Sequence, residues 1–232
     1  MEFAYRTNVA VLEELKEFVT DEDIKELQVQ KLIRPFVKPA LGIVNGDTLR
    51  NTYFPSSTVL NTSYDVFISH SHTNEEEAYV LAAWFQCYCG LTCFVDSMAW
   101  GSADQLLKEI DNIYCYKKHS KTYDYKKRNF TTSHVHVILS MALLETIKNS
   151  RYCIFIESQE SISLKTGLKK KTLSPWLYEE IQYMKLFQPQ RGTKLFCESL
   201  EKGGVFKCAY DATDVNQCPF LDVKDLIKLG EI

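Results

Sequence analysis

Tyr64-Asp65-Val66-Phe67-Ile68-Ser69-His70-Ser71 is the stretch on which the fold turns. Val66-Phe67-Ile68 is a short apolar run bounded by polar residues, which predicts a buried strand with Ser69, His70 and Ser71 at its carboxyl end. Downstream, Glu75 to Cys89 reads as a helix with Ala78, Leu81, Ala82 and Phe85 on its inward stripe. Gly90 stops it, and Leu91-Thr92-Cys93-Phe94-Val95 reads as a second strand. Leu106, Leu107 and Ile110 suggest a further helix, Ser133 to Lys148 another, Tyr152 to Ile156 a third buried strand, and Trp176 to Phe187 a helix. Thr193 to Cys197 and Val205 to Tyr210 are possible strands, and Val223 to Leu229 a closing helix. Alternating strands and helices predict an α/β domain with a central parallel sheet flanked by helices.

Upstream of this pattern the chain changes character. Val9, Leu12, Leu15 and Phe18 repeat at helical spacing, and Thr20 with Asp23 resembles a capping box that opens a second helix ending near Pro35. Residues 39 to 62 are rich in Pro, Gly, Asn and Ser, as suits a connector. The expected division is a helical N-terminal extension over 1–60 and the α/β domain over 61–232.

The chain has 232 residues, 45% of them apolar, enough for an ordinary core. Its net charge of −3 argues against a nucleic-acid partner. The N-terminal residues show no secretory pattern, and the apolar stretches Tyr79 to Phe85 and Val135 to Leu144 are too short to span a bilayer, so a cytoplasmic protein with no membrane association is expected. The eight cysteines lie inside apolar runs, and most of them read as buried thiols. Residues 114 to 131 interrupt the pattern with a basic, Tyr-rich insertion. Such a segment can stack on bases, but the overall acidity favours a solvated insertion.

The chemistry concentrates on one helix. Ser174 is a favoured N-cap and Pro175 a favoured first residue. Leu173, Leu177, Ile181 and Met184 then define an inward face, and Glu180 falls within that arc while Glu179 points about 100° away. A carboxylate on an apolar face is costly unless paired or set at a wet pocket, so Glu180 is a candidate functional residue; a carboxylate at the stripe's edge that reaches solvent is the bland alternative. Trp176 shares its side of the helix.

Ser174, Trp176 and Glu180 follow the spacing of enzymatic Toll/interleukin-1 receptor (TIR) domains, and Tyr64 to Ser71 resembles the first strand of that family. Asp96-Ser97-Met98-Ala99-Trp100-Gly101 corresponds by position to the family's loop after the second strand. The resemblance spans about residues 64 to 229 and implies a flavodoxin-like TIR domain. The receptor-type Arg-Asp-x-x-Pro-Gly and Phe-Trp sequences are missing, and Phe94-Val95-Asp96, Trp100-Gly101-Ser102 and Ser174-Pro175-Trp176 look more similar to bacterial antiphage TIR proteins of the Thoeris type. What this implies is NAD+ cleavage, with Glu180 stabilising an oxocarbenium-like ribose and cyclisation to a cyclic ADP-ribose signal. It also implies self-association through TIR–TIR contacts, a phage-derived trigger and a separate effector that receives the signal.

Ser69, His70, Ser71, Asp96, Trp100 and Trp176 are the expected substrate-binding residues, Ser69 to Ser71 because ligands of open α/β sheets bind at the carboxyl ends of strands. Ordinary loop polarity for the histidines and a packing role for Trp100 stand beside that reading. NAD+ is expected as substrate, with no cofactor, since the nine glycines form no Gly-x-Gly-x-x-Gly, P-loop or Gly-x-Ser-x-Gly. The pairs His70/His72 and His134/His136 raise a metal-hydrolase alternative without a convincing third ligand. A non-enzymatic self-association module and a nucleoside deoxyribosyltransferase-like enzyme are the remaining rivals.

Overall fold

Val66–Ser69 is a four-residue strand buried on both faces, as a short apolar run between crossover helices requires. A computed structural model describes residues 3–29, 45–53, 64–158, 161, 171–172, 174–187, 210–211, 215 and 218–230. In chain order its central elements are β1 (Phe3–Asn8), α1 (Val9–Leu15), α2 (Asp21–Val29), α3 (Gly46–Tyr53), β2 (Val66–Ser69), α4 (Glu75–Cys89), β3 (Cys93–Val95) and α5 (Ser97–Tyr114). A small hairpin follows, β4 (Tyr116–Lys117) and β5 (Thr122–Tyr123), then α6 (Tyr125–Asn149), β6 (Tyr152–Glu157), β7 (Lys171–Thr172), α7 (Pro175–Phe187), β8 (Tyr210–Asp211) and α8 (Val223–Gly230).

The expected parallel sheet is present, with strand order β1-β6-β2-β3 and every pairing parallel. Side chains alternate across it. Val66, Ile68, Val95, Tyr152, Ile154 and Ile156 pack with α1, α4 and α8 on one face, while Phe67, Phe94 and Cys153 pack with α3, α5 and α6 on the other. The protein is thus α/β, and among the described residues the central parallel sheet has four strands, flanked by helices.

Residues 1–60, expected as a helical extension apart from the α/β domain, instead contribute a strand to it. Helices do form over Val9–Leu15 and Asp21–Val29, and the second opens on the expected capping box: the Asp23 carboxylate accepts from Thr20 N at 2.8 Å, and Thr20 Oγ1 accepts from Asp23 N at 3.3 Å. Phe3–Asn8, however, is a strand of the central sheet, in register with Tyr152–Glu157 along its whole length. It takes the place beside the third strand of the α/β unit that, in the flavodoxin-like order 2-1-3-4-5, belongs to the strand that follows it in sequence. Its outer edge is covered in turn. Arg6 N donates to the Pro219 carbonyl at 3.0 Å, Leu221 N to the Arg6 carbonyl at 2.8 Å, and Thr7 Oγ1 to the Leu221 carbonyl at 3.0 Å.

Two further differences concern loops. Ser97 to Gly101, expected as a loop, is the first part of α5. The 114–131 insertion is a solvent-facing hairpin followed by the start of α6, whose N-cap Asp124 accepts from Lys127 N at 3.1 Å. Asp111 ties it to the body, accepting from Arg128 Nε at 2.8 Å and Thr131 Oγ1 at 2.6 Å. The possible strand Thr193 to Cys197 lies outside the described residues.

Gly90 ends α4 in the left-handed region at φ 64° and ψ 18°, where only glycine avoids a steric cost. A Cβ there would meet no atom within 4 Å, so the penalty of Gly90→Ala is purely conformational. A loss of about 1 kcal/mol in urea unfolding is expected.

Candidate active site

Three segments converge at the carboxyl edge of the sheet. β2 ends at Ser69 and hands on to His70 and Ser71, β3 ends at Val95 and hands on to Asp96, and α7 approaches with its first two turns. The α7 start forms as its sequence dictates: Ser174 Oγ accepts from Leu177 N at 3.3 Å, and Pro175 is the first helical residue. Leu177, Glu180, Ile181 and Met184 face inward. Glu179 turns outward, where it accepts from Tyr183 Oη at 2.5 Å. Helical geometry therefore distinguishes the two glutamates correctly.

Glu180 is completely buried, at 0% exposure. Its Oε2 accepts from Ser69 Oγ at 2.5 Å, and its Oε1 has no hydrogen-bond partner. Beside it, His70 and Asp96 form a second buried pair, with Nε2 of His70 2.6 Å from Oδ1 of Asp96. His70 N also donates to Asp96 Oδ2 at 3.3 Å, and the ring's Nδ1 lies 2.6 Å from the Ser71 carbonyl. Both imidazole nitrogens thus face acceptors, an arrangement that suits the doubly protonated ring.

The electrostatics follow from this packing. Burial, reinforced by the neighbouring Asp96 carboxylate, holds the Glu180 carboxyl well above the usual carboxylate range, against the opposing Ser69 hydrogen bond. Burial opposes charge on His70, but the Asp96 charge and hydrogen bond, with the Ser71 carbonyl, outweigh it and raise its pKa above 6.5. A neutral Glu180 next to a His70–Asp96 ion pair leaves the cluster with no net charge to bury.

Both shifts have the same sign for stability. Each group holds its proton more tightly folded than unfolded, so the stability each contributes is complete below the unfolded value, 4.5 for Glu180 and 6.5 for His70. It is lost as pH rises through the folded value. Across the window that opens at pH 4.5 for Glu180 and 6.5 for His70, stability should therefore fall as pH rises, by up to about 1.4 kcal/mol per pH unit for each titrating group, and the melting temperature should fall with it. A flat profile over that window would contradict a neutral Glu180 and a charged His70.

In front of the cluster lies a half-open cleft of about 220 Å³. His70, Ser71 and Asp96 form its floor, His72 and Thr73 one wall, and Ser174, Trp176 and Leu177 the other. Of the expected site residues, His70, Ser71, Asp96 and Trp176 line this cleft; Ser69 and Glu180 lie behind it, both at 0% exposure. Glu180 is thus placed differently from a carboxylate that meets ribose hydroxyls directly: its Oε2 is taken by Ser69 Oγ, its Oε1 is buried without a hydrogen-bond partner, and Asp96 rather than Glu180 lines the cleft. Ser71 is likewise engaged locally, 2.7 Å from Asn74 Oδ1 and 2.8 Å from Thr73 Oγ1. Trp100 is helical, but its side chain lies outside the described residues.

Sequence reasoning misses the His70–Asp96 pair and the wall residues Thr73 and Leu177. Asp96 stands out for its position after β3, yet no local pattern shows that it meets a histidine 26 residues earlier. The histidines of the metal alternative are dispersed: His134 packs edge-on against Phe130 with ring centres 4.5 Å apart, and His136 against Trp176 at 4.8 Å. Among the described residues no three His, Cys, Asp or Glu side chains are grouped to hold a metal ion. Comparison with protein-family models, curated proteins and solved structures gives no match to this chain.

Proposed function

We propose that this chain is a flavodoxin-like TIR domain that cleaves NAD+ at the nicotinamide–ribose bond and closes the product into a cyclic ADP-ribose isomer that serves as an antiphage signal. The observation that carries the reading is the pair of acidic side chains, Asp96 at the cleft floor and Glu180 buried behind it, joined to Ser69 and His70 at the carboxyl edge of the sheet. Two carboxyl groups in adjacent but different environments, one of them held protonated by burial, is the arrangement by which glycosidic-bond chemistry divides its roles.

The nicotinamide ring of NAD+ is itself a cation. In the cleft, beside Trp176, its charge favours ionisation of Glu180, whose proton passes to solvent as substrate binds. The C–N bond then breaks with its electron pair moving onto nicotinamide, which leaves neutral. The positive charge that develops on the ribose is stabilised by the carboxylates. Capture by water, with loss of a proton, gives ADP-ribose; capture by a nucleophile of the same molecule gives a cyclic product, helped by proximity. Trp176 offers an aromatic face to a planar ring, and His70, also on the floor, fixes Asp96 through the 2.6 Å contact of Nε2 with Oδ1.

Incubation with NAD+ and chromatographic detection of nicotinamide tests the proposal, with Glu180→Gln as the control. Turnover in the wild type that disappears in the variant supports it, and mass spectrometry with NMR of the product identifies linear or cyclic ADP-ribose. Equal turnover in both proteins removes Glu180 from the reaction. Base exchange on nucleosides would instead point to transferase chemistry.

A further inference from the structure

α6 is apolar on two opposite sides. Val135, Leu139, Ala142, Leu143 and Ile147 are buried against the domain. On the other side Phe130, Val137 and Met141 stand 68%, 61% and 41% exposed, and with His134 and the half-buried Leu144 they fall in an arc of about 80°. Their spacing of four, three, four and three residues is the seam of a two-helix coiled coil. An isolated exposed apolar residue needs no explanation, but a continuous stripe over four turns does.

The geometry points to a second copy of this chain as the occupant, with the two α6 helices antiparallel about a twofold axis that passes between His134 and Val137. In that register four of the five stripe positions face one another, and Leu144 lies opposite the aliphatic stem of Lys127. Phe130 meets Met141 of the other copy, an aromatic–thioether contact, and His134 meets Val137. The charges follow the same symmetry. The first turn of α6 carries Lys126, Lys127 and Arg128 and no acidic residue, which places cations at the positive end of their own helix dipole. Antiparallel pairing moves them to the negative end of the partner helix and sets Lys126 opposite Glu145, which at present pairs with Arg50 at 2.9 Å. The flanks are already in place: Arg50 on α3 and Trp176 on α7, in contact with Glu145 and His136, border the stripe without covering it. This interface is independent of the reaction the cleft supports.

Sedimentation equilibrium of the full chain tests it. The wild type should dimerise, and Val137→Asp should raise the dimer Kd about 100-fold or more while leaving the melting temperature of the monomer unchanged, because Val137 is exposed. Orientation is read by disulfide trapping in a Cys87→Ser background. In a mixture of Phe130→Cys and Met141→Cys proteins the 130–141 heterodisulfide should form, and Met141→Cys alone should not crosslink; parallel pairing would instead crosslink Met141→Cys to itself and overturn the register. A wild type that stays monomeric up to its solubility limit overturns the inference. α6 is long and apolar enough to meet lipid by length and composition. Monomeric wild type that co-sediments with phosphatidylglycerol-containing vesicles, with Val137→Asp failing to do so, would therefore reassign the stripe to a membrane surface.

Discussion

Glu180→Gln is expected to lower nicotinamide release from NAD+ by about two orders of magnitude, the scale of removing one preorganised charge that acts on the transition state from behind the cleft without touching the substrate. The fold should survive the change. Gln is nearly isosteric with the protonated acid; its amide oxygen can accept from Ser69 Oγ as Glu180 Oε2 does at 2.5 Å, and its NH2 group supplies a donor toward Asp96 in place of the acid proton. What Gln cannot do is ionise when a cation enters the cleft. The pH dependence of stability provides a second readout that a simple loss of packing would not reproduce. Above pH 4.5 keeping Glu180 protonated costs the wild type stability that the variant retains, so the variant should melt at the same or a higher temperature, with the gap widening as pH rises. A variant that is inactive because it is misfolded would melt lower at every pH. Asp96→Ala is a poorer probe, because it strips His70 of the partner 2.6 Å away and leaves a buried imidazole uncompensated, at about 3 to 5 kcal/mol.

Much of this site is legible in the sequence because it depends on local periodicity. The short run Val66-Phe67-Ile68 between polar neighbours forms a buried strand, and the spacing of Leu177, Ile181 and Met184 places Glu180 inside and Glu179 outside. The Thr20–Asp23 capping box and the Gly90 helix stop are likewise written in a few adjacent residues. What is not legible depends on pairings distant in sequence. Phe3–Asn8 mixes apolar and polar residues with no recognisable buried-strand pattern; its state is set by β6, roughly 150 residues later, and by the 218–221 segment that closes its edge. The depth of Glu180 escapes a sequence reading for the same reason. Helical geometry gives the face on which a carboxyl lies, whereas Ser69 and Asp96, contributed by two separate strands and their ends, decide whether it reaches the cleft.

Deletion of residues 1–8 should abolish the cooperative unfolding transition and leave the protein insoluble or molten. The reason lies in the position of β6. With β1 in place it is an interior strand, paired on one side with β2 and on the other with Phe3–Asn8. Without β1 its outer edge, Tyr152 to Glu157, becomes an unpaired row of backbone donors and acceptors along a strand whose first five residues are buried. A six-residue parallel ladder contributes about one hydrogen bond per residue at about 1 kcal/mol each, and burial of Ala4 and Thr7 adds to it. That sum is comparable to the whole stability of a domain, about 5 to 15 kcal/mol. The Arg6–Glu157 ion pair at 2.8 Å and the bonds from Arg6 and Thr7 to residues 218–221 are lost with it, which also unpins the chain leading into α8. Differential scanning calorimetry and far-UV circular dichroism of the deletion variant decide the matter. A variant that melts cooperatively within a few degrees of the wild type would show that β1 is an accessory strand and that the α/β unit after residue 61 is self-sufficient. Arg6→Ala should fall between the two: it keeps the ladder, removes a partly exposed ion pair, one carbonyl contact and the guanidinium over the Phe220 ring at 5.3 Å, and should cost about 1 to 2 kcal/mol. The contrast between the two variants separates the backbone pairing from the side chains that decorate it.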